Sequence, residues 1–268
     1  MSAIFTSETP QNTANSMALL AFDAASGLIT FFNYSQQTNL TTVNFPHTHT
    51  YTLHEPDYVC ASNLDFNRDG IADILWRNDN GSVALWIDPA TQFTTQGLGG
   101  AGSDWHVQCT GDFNRDGRAD ILWRSDDGEV AVWITNPPGS ATPYTVQDLG
   151  GAGADWHIQG IGNFNGDGKT DILWRNDNGD VALWIPTPGS STPVVIQDLG
   201  PATADTHIQG VGDFNGDAKK PKDDILWRND NGGVALWILN PPGSATPYTV
   251  QNLGSASADW HIVPIDIP

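Results

Sequence analysis

Asp65-Phe-Asn-Arg-Asp-Gly-Ile-Ala-Asp-Ile-Leu-Trp-Arg77 returns as Asp112-Phe-Asn-Arg-Asp-Gly-Arg-Ala-Asp-Ile-Leu-Trp-Arg124, and in altered form from Asn163 and Asp213. Self-similarity at a period of about 50 residues marks a repeat architecture. Each copy continues into an Asn/Asp/Gly turn such as Asn78-Asp-Asn-Gly81 and then a Val-Ala-(Leu/Val)-Trp-Ile run from Val83, Val130, Val181 or Val234. A Pro/Gly/Ser/Thr stretch follows, then a run such as Tyr144-Thr-Val-Gln-Asp-Leu149. The unit closes on Asp-Trp-His at Asp104, Asp155 and Asp259, with Thr206 in place of Trp after Asp205.

Short β-branched and aromatic runs bounded by Gly, Asn, Asp and Pro predict four strands per unit, joined as a meander. The Asn-Gly and Asp-Gly turns accommodate the positive φ of tight hairpins. The middle strands are apolar on both faces, which suits sheets stacked between two neighbours. The expected fold class is all-β: a single five-bladed β-propeller, four antiparallel strands per blade, occupying residues 1–268 as one domain. Repeats fall at about 58–103, 104–154, 155–204 and 205–257. Residues 18–57 supply only degenerate strands two to four, and 258–267, beginning Trp260-His-Ile-Val-Pro-Ile265, are expected to complete that blade as its first strand.

The chain has 268 residues and a formal net charge of −20, the wrong sign for nucleic acid or an anionic membrane surface. No apolar run is long enough to insert in a bilayer, and the N-terminus shows no export signal. Cys60 and Cys109 are read as two buried thiols rather than a bridge.

The acidic nonapeptides offer oxygen ligands at positions 1, 3, 5 and 9 and a backbone carbonyl at position 7, around a Gly turn. Hard cations such as Ca²⁺ take such oxygen sets. The candidate ligands are Asp65, Asn67, Asp69, Ile71 and Asp73, then Asp112, Asn114, Asp116, Arg118 and Asp120. The third loop offers Asn163, Asn165, Asp167, Lys169 and Asp171. The fourth offers Asp213, Asn215, Asp217 and Asp224, but Ala218 replaces the turn glycine and extra residues precede Asp224. Trp76 stands where an EF-hand would need Glu. The alternative is that Asx-rich turns hold themselves without metal.

Asp-x-Asn-x-Asp-Gly-x-x-Asp followed by Ile-Leu-Trp-Arg resembles the FG-GAP/VCBS repeats, whose relatives include the integrin α-subunit propeller and calcium-containing mushroom lectins. The resemblance covers residues 58 to 263. It implies a propeller with structural calcium and a ligand face on the side away from the calcium loops.

Strands alternate in direction, so that opposite face carries the Trp-Arg-(Asn/Ser)-Asp turns and the Asp-Trp-His loops. Seven of the 11 basic residues lie in the acidic loops, and the other four are Arg77, Arg124, Arg175 and Arg228. Each arginine either pairs with an Asp such as Asp79 or Asp104, or reaches a ligand. Candidate ligand residues are therefore Arg77, Asp79, Asp104, Trp105, His106, Arg124, Asp126, Asp155, Trp156, His157, Arg175, Asp177, His207, Arg228, Asp230, Asp259, Trp260 and His261. Trp105, Trp156 and Trp260 serve either as core or as platforms for a sugar ring.

The leading expectation is a non-enzymatic, calcium-stabilised lectin with several repeated glycan sites, extracellular or on a cell surface; the alternative is an integrin-like protein-binding adhesion module. Catalysis needs a unique constellation, and here almost every polar residue of interest recurs.

Overall fold

The structure is a computed structural model. It describes the backbone of residues 3–8, 17–23, 28–33 and 41–43, and residues 64–89, 93–216, 222–257 and 259–262 in full. Nineteen strands and no helix occur among the described residues. The chain divides into two compact units, Met1–Glu55 and Pro56–Pro268.

In the first unit β1 (Ala3–Glu8), β2 (Met17–Asp23), β3 (Leu28–Asn33) and β4 (Thr41–Val43) form an antiparallel sheet in that order. The three expected strands are present, but the edge of β2 reserved for 258–267 carries β1, with Ala3 opposite Phe22 and Glu8 opposite Met17. Residues 259–262 form no strand, and 258 and 263–267 lie outside the described residues. The expectation fails because Ala3-Ile-Phe-Thr-Ser-Glu8, which carries no Asp-Trp-His signature, contains the β-forming run Ile4-Phe5-Thr6 and pairs with β2 along its whole length.

The second unit repeats one meander. β5 (Ile74–Arg77), β6 (Ser82–Ile87) and β7 (Thr94–Gly100) make a three-stranded sheet, its expected first strand near Tyr58 lying outside the described residues. Three four-stranded sheets follow. They are β8 (Trp105–Gly111), β9 (Asp120–Ser125), β10 (Glu129–Thr135) and β11 (Tyr144–Gly151); β12 (Trp156–Gly162), β13 (Asp171–Asn176), β14 (Asp180–Pro186) and β15 (Val194–Pro201); and β16 (Thr206–Gly212), β17 (Asp224–Asn229), β18 (Gly233–Leu239) and β19 (Tyr248–Ser255). A register shift recurs at the same place in each first strand, as between Val107 and Cys109.

The turns between second and third strands explain one invariant of the repeat. Gly81, Gly128, Gly179 and Gly232 all have φ between 83° and 93°. A Cβ on any of them would lie within 2.4 Å of the carbonyl oxygen of Ala101, Ala152, Ala202 or Ala256. The turn thus needs glycine for its backbone angle and for the close approach of the next loop.

The core lies between sheets. Leu122, Val130, Val132 and Leu149 of one sheet close on Ile158, Ile172, Trp174 and Trp184 of the next. The same half-and-half cluster forms around Trp123 and Trp133, and around Trp227 and Trp237. Cys109 is buried in this core but is a disulfide sulfur, not the expected thiol; the chain's only other cysteine is Cys60. Sequence spacing could not show that pairing, since a bridge depends on which strands become neighbours.

The position-9 aspartates tie this core to the acidic loops. Asp120, fully buried, accepts Phe113 N at 2.9 Å and Thr135 N at 2.8 Å. Asp73 takes Phe66 N and Asp88 N in the same way, and Asp224 takes Leu239 N. Burial pushes the Asp120 carboxyl up to about 7. In the third repeat the residue in register with Thr135 is Pro186, which has no N–H to give. Asp171 accepts Phe164 N at 2.9 Å, but its Oδ1 is buried without a partner, and burial pushes this carboxyl up to about 8.

Two predictions follow from this packing. Trp174→Ala removes a fully buried indole and should destabilise by about 3–5 kcal/mol in urea unfolding, whereas Trp260→Ala, at an exposed site, should change it by less than about 0.5 kcal/mol. Pro186→Thr restores the missing donor. The relief of an unsatisfied acceptor, about 1–3 kcal/mol, exceeds the chain entropy released by losing proline, about 0.4–1 kcal/mol. Calorimetry with chelator present should show a melting temperature raised by a few degrees; a lower one would refute the assignment.

Candidate functional site

The acidic loops fold on themselves. Asp65 accepts the amides of Arg68, Asp69 and Gly70, Asn67 accepts Asp69 N, and Asp69 accepts Ile71 N at 2.7 Å. Asp112, Asn114 and Asp116 repeat the scheme, ending on Arg118 N. Asn163, Asn165 and Asp167 do so as far as Lys169 N. In the fourth loop Asp213 accepts Gly216 N at 2.7 Å; Asn215 is exposed, and Asp217 lies outside the described residues. Position 4 is left-handed in each, at φ 66° for Arg68, 64° for Arg115 and 76° for Gly166.

Oxygen donors are the only side-chain donors these positions offer a cation, which suits Ca²⁺ chemistry. Among the described residues, however, no three His, Cys, Asp or Glu side chains gather as a metal-holding group. Position 9 differs from positions 1, 3 and 5, because Asp73, Asp120, Asp171 and Asp224 are buried and at least one oxygen of each is taken by a core amide. The loops also touch in series: a Cβ on Gly117 would meet the Arg68 side chain, and one on Gly168 the Arg115 side chain.

On the opposite loops none of the four arginines forms the expected ion pair with an aspartate among the described residues. Each reaches the connection that leads into the next repeat. Arg77 donates to Gly102 O at 2.7 Å, Arg124 to Trp156 O at 2.6 Å and Gly153 O at 3.0 Å, Arg175 to Thr206 O and Thr203 O, and Arg228 to Ser257 O at 3.0 Å. Three of them also lie over a tryptophan of the next repeat: Arg77 over Trp123, Arg124 over Trp174 and Arg175 over Trp227, at 5.1–5.6 Å. A planar guanidinium can stack and donate at once, which Lys could not do. Burial lowers the Arg124 and Arg175 values, yet both stay cationic.

The histidines meet the turn aspartates. His106 Nε2 lies 2.8 Å from Asp126 Oδ1, and His157–Asp177 and His207–Asp230 repeat the pair at 2.9 Å. All six side chains are exposed. Asp79 occupies the corresponding turn of the first repeat, where the counterpart of His106 is Val59. Asp104 and Asp155 instead use their carbonyls, accepting Asp126 N and Asp177 N. Trp105 and Trp156 are half-buried and pack on the inter-sheet core, while Trp260 and His261 are exposed. The Ser257 hydroxyl beside Asp259 holds that carboxyl below its usual value.

Around the first pair lies an open cavity of about 270 Å³, lined by His106, Gln108, Arg124, Ser125, Asp126 and Ala154 among others. It therefore joins the first two strands of one repeat to the loop entering the next. Gln108 was missed from sequence, although His106-Val-Gln108, His157-Ile-Gln159 and His207-Ile-Gln209 place Gln two residues after His, on the same strand face.

Residues 65–123 and 163–220 match the model of the FG-GAP-like repeat. No curated protein matches the chain. Among solved structures, a 6-phosphogluconolactonase-like protein from Bacteroides uniformis is similar over 93% of this chain and 68% of its own, at 18% identity and a TM-score of 0.41. That likeness carries no argument about chemistry. The chain carries FG-GAP-like repeats.

Proposed function

We propose that the protein is a non-enzymatic, carbohydrate-binding propeller-type module whose sites lie where the His–Asp pairs meet the loop entering the next repeat. The observation that carries this reading is the threefold recurrence of an exposed His–Asp pair at 2.8–2.9 Å, one copy of which borders the open cavity. An imidazole beside a carboxylate, with Gln108 nearby, presents donors and acceptors at spacings suited to vicinal hydroxyls. The arginines act here as positioning groups, because they hold the connection that forms the far wall. Repeated weak sites on one face would gain strength through multivalency.

The five sheets support a reading as five propeller blades, the N-terminal sheet being one of them. We also propose that Ca²⁺ stabilises the acidic loops, held through positions 1, 3, 5 and 7 in the first two loops, Asp65 to Ile71 and Asp112 to Arg118. The support is the oxygen-only donor set; the ion would supply structural cross-linking and no chemistry. An extracellular or cell-surface setting is favoured by the Cys109 disulfide, a bond that persists in oxidising compartments.

Glycan-array binding by calcium-loaded protein should be lost, with a native circular dichroism spectrum retained, when His106, Asp126, His157 and Asp177 are all replaced by Ala. Single-pair variants should lose about tenfold or less in apparent affinity. An array with no binding at all would end the carbohydrate reading. Excess chelator should lower the melting temperature by about 5 °C or more, since saturating ligand at 100 times Kd contributes about 2.7 kcal/mol per site. Unchanged melting would end the calcium reading.

A further inference from the structure

The second and third acidic loops carry their own cations, and the first does not. At position 7 the second loop has Arg118, whose guanidinium pairs with the position-5 carboxylate Asp116 of the same loop; the two side chains are 17% and 27% exposed. Lys169 does the same in the third loop, its Nζ 3.8 Å from an oxygen of Asp167. Each of these loops also receives the position-4 arginine of the loop before it. Arg68 Nε would lie 2.7 Å from a Cβ on Gly117, and Arg115 Nε 2.8 Å from one on Gly168.

Position 7 of the first loop is Ile71. Its position-5 carboxylate, Asp69, has no basic partner among the described residues. Asp69 instead shares Asn67 Nδ2 with Asp88, at 3.1 and 3.3 Å. Asp88 follows the third strand of its repeat, where the later repeats have the uncharged Thr135, Pro186 and Leu239. The first loop therefore has the charges of Asp65, Asp69 and Asp88 to offset while its own Arg68 is turned toward the second loop, and residues 1–67 contain no Lys or Arg to replace it.

We propose that the side chain at position 7 is a tethered counter-ion that competes with a divalent cation for its loop, so that the first loop takes Ca²⁺ tightly, the second weakly and the third not at all. To reach Asp116 an ion must displace Arg118 from a pair partly shielded from water, where opposite charges attract more strongly than in bulk solvent. Ile71 presents no such competitor. In the third loop Asn163 and Asn165 leave one carboxylate among positions 1, 3 and 5, and Lys169 already holds it. Affinity of oxygen loops for calcium is tuned over decades by the number of charged ligands. The ranking rests on the calcium reading of these loops; the counter-ion role does not.

Calorimetric titration of the chelator-stripped full chain with calcium chloride, paired with melting in excess chelator, tests both parts. The wild type should show one tight and one weaker class of site. Ile71→Arg should weaken the tight class by about tenfold or more, and Arg118→Gln should tighten the weaker class by a similar factor. Without metal the same substitutions act on stability alone. Ile71→Arg should then melt about 2 °C above the wild type, because it neutralises Asp69, and Arg118→Gln about 2 °C below it, because it leaves Asp116 unpaired. Two equal calcium classes in the wild type, or affinities that neither substitution moves, overturn the ranking. No calcium heat in any variant ends the calcium reading and the ranking with it. The chelator arm decides the counter-ion role in every case, and melting shifts that are absent or opposite in sign overturn it.

Discussion

The burial of a tryptophan pair from one sheet against the aliphatic face of its neighbour is the constraint on which the second unit depends. A four-stranded meander has two apolar faces and cannot satisfy both alone. Stacking covers them, and each indole removed from water contributes on the order of 3 kcal/mol or more. The arginine over each covered Trp adds a directional element. It lies over the ring while its N–H groups hold the next connection, so one side chain from each repeat ties it to the next at two points.

That constraint also places the polar chemistry. The loops on one side must turn sharply at the sheet margin, and their Asx side chains do so by accepting their own backbone amides. The position-9 aspartate is then pulled inward, where it serves amides the strands leave unpaired. On the other side the tight glycine turns bring the connection so near that a shallow cavity opens beside His106 and Asp126. The exposed His–Asp pair there is a by-product of how sheets are joined, which explains why it recurs wherever the join recurs.

Much of this is legible in the residues. The period, the strands in the repeats and the glycine turns follow from local patterning, because strand alternation and positive-φ turns are decided within a few residues. The strand β1 is the exception, a short run whose pairing depends on partners from Met17, opposite Glu8, to Phe22, opposite Ala3. Pro186 is another case: as a residue it reads as an ordinary strand end, and its cost appears only once Asp171 is known to need its N–H.

Sequence by itself determined the repeat, its all-β character and which residues would gather at each end of the strands, since spacing and side-chain type fix those. The tertiary structure decided what the gathered groups do. Arg124 became a clamp on the next connection, Asp120 an acceptor for amides of its own sheet's far strand and loop, and Cys109 half of a bridge, because each role depends on which atoms distant in sequence are brought into contact, and that is set by packing rather than by residue spacing.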